Sequence, residues 1–184
     1  MTKQVFSKPF TQQEAIPEAG IARAVEIMKT GRLHRYNLLP DEAGEAAALE
    51  MEYAKWQGAD YCIACTSGGY AIQLGLRVCG VKPGDKVLAN AYTLAPVPGA
   101  IHNVGGVPVL VDIDDSYHID CDDLDVKAAA SGAKYLLLSY MRGHIPDMDK
   151  LLAVCAKYDI CLIEDCAHTM GAKWRGIRSG NFGK

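Results

Sequence analysis

Lys134–His168 reads KYLLLSYMRGHIPDMDKLLAVCAKYDICLIEDCAH, two apolar runs separated by a loop and a helix-length segment. A strand is predicted over 134–139, its middle, 135–138, continuously apolar rather than alternating, as in a strand covered on both faces by helices. Gly143 and Pro146 mark a loop, and Asp147 or Asp149 stands where a helix cap belongs. A helix is predicted over 147–158 and a second strand over 160–164. This is a βαβ unit, whose right-handed crossover sets its two strands parallel.

The same alternation extends upstream. A strand is predicted at 61–65, then the turn Thr66-Ser67-Gly68-Gly69 and a helix over 70–79. KPGDK at 82–86 is a turn in which Pro83 fixes φ and Gly84 permits positive φ. Strands follow at 86–90 and 107–112, with helices over 94–103, despite two prolines, and 122–130. The predicted fold class is α/β, a mainly parallel sheet flanked by helices. Two helices precede it. In the first, 12–30, Ile16, Ala19, Ile21, Ala24, Val25 and Met28 recur at helical spacing until Gly31 stops it. The second, 41–57, is rich in Ala and Glu, and the irregular GRLHRYNLLP at 31–40 lies between them. After residue 168 the glycines at 171, 176, 180 and 183 lead to Lys184 with no closing element, which reads as a fragment boundary.

Of the 184 residues, 49% are hydrophobic and 22% charged, enough to bury a core. Net charge is -3, and no Lys/Arg stripe with interleaved aromatics argues for nucleic acid. No apolar stretch approaches the roughly 20 residues of a membrane span. The start, MTKQVFSKPFTQQEA, lacks a hydrophobic signal core, so a cytoplasmic location is expected. The seven cysteines are an odd number, and most lie in apolar runs. Cys62 and Cys65 form a CxxC pair with no second CxxC and no His pair, so buried free thiols are expected rather than disulfides or a metal site. Asp112, Asp114 and Asp115 lack EF-hand spacing and read as a polar turn, and no GxSxG is present.

Three segments carry candidate chemistry. Thr66-Ser67-Gly68-Gly69 lies between strand and helix, where bare backbone N–H groups and the helix dipole favour an anion such as phosphate. The alternative is a plain helix N-cap. The turn matches neither GxGxxG nor Walker A, which disfavours a dinucleotide or P-loop nucleotide site. Asp165 and His168 follow the strand ending at 164, where α/β sheets place ligands. Asp165 there can hold a heteroaromatic ring nitrogen protonated; alternatively it is an N-cap and His168 an ordinary half-buried histidine. Arg142 and His144 either contact an anionic or polyhydroxyl substrate or belong to a solvated loop. Arg32 and His34, in a basic irregular segment with Arg35, either touch substrate or face water.

Taken in order, these segments resemble the DegT/DnrJ/EryC1/StrS family of pyridoxal 5'-phosphate (PLP)-dependent sugar aminotransferases. GRLHRYN occupies the place of the family's G-x-L-T-x-G, and CTSGGYAIQLGL is similar to S-G-T-A-A-L-x-L-A-L. KPGDKVLANAYTLAPVPGAIHNVGGVPVLVDID resembles P-G-D-E-V…T-F…A-I…G-A-x-P-V-x-V-D-I-D. SYMRGHIPDMDKLLAVCAKYDICLIEDCAHTMGAKWRGIRSGNFG resembles V-x-L-Y-G-x-x-x-D-M-D…L-I-E-D-A-A-Q-x-x-G-A-x-x-x-G-x-x-x-G-x-x-G. The similarity covers residues 15 to 184. It implies the large domain of a fold-type I PLP-dependent transferase, incomplete here, with residues 1–40 as an N-terminal helix and substrate-side segment and 41–184 as the cofactor-binding part.

The resemblance assigns Asp165 to the pyridine nitrogen, Thr66, Ser67, Gly68 and Gly69 to the phosphate, and His168 to the cofactor's ring oxygen. The family's Thr in S-G-T is Gly69 here. The aromatic after the T of T-F is Leu94, so ring stacking falls to Leu94 or to nearby Tyr92. Arg32, His34, Arg142 and His144 become substrate-side candidates. The implied reaction moves an amino group from an amino acid, glutamate or glutamine, to a nucleotide-linked keto sugar, in a homodimer serving cell-surface polysaccharide or secondary-metabolite biosynthesis. The lysine that would hold the cofactor covalently is expected about a dozen residues beyond the G-x-F-G segment. Lys184 follows Phe182 too closely to be it, so the chain as given is expected to be inactive alone. The rival readings are a non-catalytic sensor or regulator on the same scaffold, which Gly69 and Leu94 admit, and a PLP-dependent sugar dehydratase.

Overall fold

The apolar runs pair as a four-stranded parallel sheet in a computed structural model that describes Pro9 and residues 13–183. Its strands are β1 (Lys86–Asn90), β2 (Val107–Val111), β3 (Tyr135–Ser139) and β4 (Cys161–Asp165), in the order β2-β1-β3-β4. The helices are α1 (Glu18–Thr30), α2 (Glu45–Gln57), α3 (Gly68–Val78), α4 (Pro96–Asn103), α5 (Cys121–Ser131) and α6 (Met148–Tyr158). Two compact units divide within α2, one up to Leu49 and the other from Glu50 onward.

The core explains why the strand runs read as continuous. Leu88, Leu136, Leu138 and Leu162 join Leu124 and Ala128 of α5 and Met148, Leu151 and Cys155 of α6 in one cluster. Val87, Ala89, Leu137 and Ile163 join Leu76 of α3 and Val97, Ala100 and Ile101 of α4 in another. Successive strand residues point to opposite faces, and in β1, β3 and β4 both faces are buried, whereas Val107 and Leu110 of the edge strand β2 are exposed.

Helix boundaries follow local chemistry. Pro17, with φ -57°, occupies the N-cap of α1, so the helix expected over 12–30 begins only at Glu18; Gln12 lies outside the described residues. Residues preceding a proline are biased away from helical geometry. Asp147 caps α6 by accepting from the N–H groups of Asp149 and Lys150, and Asp120 caps α5 by accepting from those of Asp122 and Asp123. Asp114 accepts from the Ser116 and His118 N–H groups, as expected of a polar turn.

One expected element is absent. Residues 61–65 form no strand, and Tyr61 and Ile63 are 91% and 63% exposed. An extended segment becomes a strand only when a neighbour takes its backbone groups. Among the described residues none of the four sheet strands pairs with this segment. The Ala64 N–H is instead taken by the Glu50 carboxylate at 2.8 Å. A short antiparallel pair, β5 (Lys173–Trp174) and β6 (Ile177–Arg178), which the sequence pattern does not reveal, follows the sheet.

Candidate active site

The site lies at the C-terminal ends of β1, β3 and β4, whose last residues are Asn90, Ser139 and Asp165. Parallel register sets Ser139 opposite Asp165. The Asn90 amide bridges strands: its Nδ2 donates to the carbonyls of Tyr92, at 2.8 Å, and Ser139, at 3.1 Å, while its Oδ1 accepts from the Ser139 N–H at 2.9 Å. Asn90 and Ser139 are both buried, and this exchange meets the requirement that buried polar groups be paired. The Ser139 hydroxyl then donates to Asp165 Oδ2 and the Ala167 N–H to Oδ1, each at 3.2 Å. Asp165 is thereby held by a hydroxyl from the adjacent strand and by the backbone two residues on.

The 66–69 turn opens α3. Ser67 is extended, φ -159° and ψ 156°, and its Oγ accepts from the Tyr70 N–H at 3.2 Å. The N-cap alternative is thus realised at Ser67. The N–H groups of Gly68 and Gly69, at the head of the helix, have no intrahelical acceptor, and a Cβ at Gly68 would meet nothing within 4 Å. Gly68, Ala71 and Ile72 line an open cleft together with Ile163, Glu164, Asp165 and Ala167. The bare helix end and the Asp165 carboxylate therefore border the same space.

A smaller adjoining cleft is lined by Leu94, Ser139, Tyr140, Met141, Asp165, Ala167 and His168. His168 Nδ1 accepts from the Arg142 backbone N–H at 3.0 Å. The Tyr92 ring packs against Tyr117, centroids 5.4 Å apart, and Tyr117 packs in turn against His144 at 6.1 Å. Of the two stacking candidates, Leu94 lines the cleft with Asp165. Arg32 and His34 sit in the unit that ends at Leu49. The Arg32 guanidinium contacts both Glu42 oxygens, at 3.0 and 3.1 Å, and this partner holds the Glu42 carboxyl below its usual range. His34 stacks on Tyr36 at 5.2 Å.

Glu164, beside Asp165, anchors the glycine-rich segment. It accepts from the Tyr140 hydroxyl at 2.6 Å and from the N–H groups of Gly180, Phe182 and Gly183 at 2.8, 2.8 and 2.7 Å. Burial and the adjacent Glu164 push the Tyr140 hydroxyl well above its usual range. Burial also pushes the Cys121, Cys155 and Cys166 thiols up to about 11. Cys62 is raised as well, by burial and then Glu50, so its thiol is no ready thiolate. All seven cysteines are free, though only Cys155 is fully buried. Among the described residues no His/Cys/Asp/Glu group could hold a metal.

A phosphorylated heteroaromatic ring fits this layout on two counts: open space above unpaired helix N–H groups, and an oriented carboxylate across the same cleft. The fold is that of the large domain of fold-type I PLP-dependent transferases. A putative sugar aminotransferase from Streptococcus pneumoniae, solved in its PLP form, superposes with a TM-score of 0.83 at 26% identity, over 97% of this chain and 47% of that one. The chain belongs to the DegT/DnrJ/EryC1/StrS aminotransferase family, whose model matches residues 17–184. It is 35% identical over 139 residues to 3-amino-5-hydroxybenzoate synthase of Amycolatopsis mediterranei, covering 75% of this chain and 36% of that protein. It is 34% identical over 166 residues to the UDP-2-acetamido-2-deoxy-3-oxo-D-glucuronate aminotransferase of Pseudomonas aeruginosa, covering 90% of this chain and 43% of that protein. The chain thus spans less than half the length of these relatives. No helix among the described residues is long and apolar enough to cross a membrane.

Proposed function

We propose that this chain supplies the cofactor-binding part of a PLP-dependent aminotransferase that moves an amino group from glutamate or glutamine to a nucleotide-linked keto sugar. The pathway served is cell-surface polysaccharide or secondary-metabolite biosynthesis, and the working protein is a homodimer of family length. The observation that carries the reading is the shared cleft of Gly68 and Asp165.

PLP supplies an electron sink, which is effective while its ring nitrogen stays protonated. Asp165 would hold that proton, its carboxylate kept from turning away by the Ser139 hydroxyl and the Ala167 N–H. The N–H groups of Gly68 and Gly69 bind the phosphate, and the absence of side chains there lets it approach the backbone. The Thr66 and Ser67 hydroxyls stand beside them as further donors. Leu94 would cover the ring and exclude water from one face, and His168 would contact its oxygen, since both line the cleft with Asp165. Arg142 and His144, on the loop after β3, stand on the substrate side.

Titration of the 184-residue chain with PLP tests this reading. Saturable binding is expected, competed by inorganic phosphate. Gly68→Asp should weaken it about tenfold or more, by placing a carboxylate where the helix end attracts an anion. Binding unaffected by Gly68→Asp would place the phosphate elsewhere and remove the reading.

A further inference from the structure

The turn after β3 is built from two consecutive left-handed residues. Arg142 has φ 57° and ψ 18°, and Gly143 has φ 85°. Such a conformation is costly for a residue with a Cβ and persists where the surroundings impose it. Two backbone bonds close the turn, from the Gly143 N–H to the Tyr140 carbonyl at 3.0 Å and from the His144 N–H to the Met141 carbonyl at 3.2 Å, and the Arg142 N–H is left to donate to His168 Nδ1 at 3.0 Å. A backbone N–H can donate only to a ring nitrogen that carries no proton, so the proton of the imidazole sits on Nε2. The turn is also pressed against His168 itself, since a Cβ at Gly143 would lie 3.3 Å from the His168 carbonyl oxygen.

We infer that the 140–143 turn is a positioning device that fixes His168 as the Nε2–H tautomer, so that the ring presents a hydrogen-bond donor to the cleft it shares with Asp165 and Leu94. Arg142 acts here through its backbone, and its guanidinium is dispensable for this task. Only an acceptor, an oxygen lone pair or oxyanion, is complementary to such a donor. The inference rests on the cofactor-site reading for the identity of that acceptor; the tautomer itself does not depend on it. A glutamine side chain offers the same pair of groups: its carbonyl can accept from Arg142 while its NH₂ donates to the cleft.

The test is NMR on the 15N-labelled chain without ligand. The expected result is a scalar coupling across the hydrogen bond between the Arg142 amide nitrogen and His168 Nδ1, with the ring proton on Nε2 alone. Arg142→Gly, which suits the left-handed geometry, should keep both signals. Gly143→Val should abolish the coupling and give a mixture of tautomers. As a readout less sensitive to the turn's own folding, the Arg142 amide should exchange with solvent about tenfold faster in His168→Leu and at the wild-type rate in His168→Gln. A proton on Nδ1, a missing coupling in the wild type, or equal exchange in all three proteins overturns the inference. Loss of PLP binding with the coupling intact would sink the cofactor reading alone, and PLP binding without the coupling would sink this one alone.

Discussion

Asp165→Asn should lower the turnover of an aminotransferase of family length carrying this chain by on the order of 10²–10³-fold, the range for deleting one preorganised electrostatic partner. The amide has nearly the shape of the carboxylate, and its oxygen can still accept from Ser139 or from the Ala167 N–H, the two donors that orient Asp165. Packing and fold should therefore be kept, with an unchanged circular dichroism spectrum and melting temperature. What disappears is the negative charge that would face the ring nitrogen. Ser139→Ala removes one orienting hydroxyl and leaves that charge, so its effect should be the smaller of the two. Turnover of Asp165→Asn close to wild type would remove Asp165 from its assigned role.

Glu164→Ala should cost about 3 kcal/mol of stability, because it strands a buried phenol and three backbone donors that one carboxylate now serves. Tyr140→Phe deletes a single one of those bonds and should cost about 1 kcal/mol. The segment tied down by Glu164 is tightly fitted: a Cβ at Gly183 would clash with the Leu162 carbonyl oxygen, so only glycine fits there without a shift. Urea unfolding of the two variants checks the ranking. A Glu164→Ala protein no less stable than Tyr140→Phe would show that the carboxylate is not the anchor described.

The sheet was legible because β1, β3 and β4 are buried on both faces, and burial leaves an uninterrupted apolar run that survives in any sequence window. The segment at 61–65 carries the same kind of run and forms no strand, because strand formation depends on a partner that composition does not report. Asp165 and the 66–69 turn could be singled out because each sits where a strand ends or a helix begins. Ser139 and Asn90 could not: their contact with the site depends on β3 lying between β1 and β4, a strand order that no local pattern encodes. Arg142 was visible as a cation, yet the structure joins it to His168 through its amide. Backbone roles of that kind leave no trace in residue type, apart from the adjacent glycine.

A crystal structure of the chain soaked with PLP puts the central claim to its most direct trial. The phosphate oxygens should accept from the Gly68 and Gly69 N–H groups while the ring nitrogen lies within hydrogen-bond distance of the Asp165 carboxylate. A phosphate bound away from the head of α3, or a ring nitrogen turned from Asp165, would contradict the account.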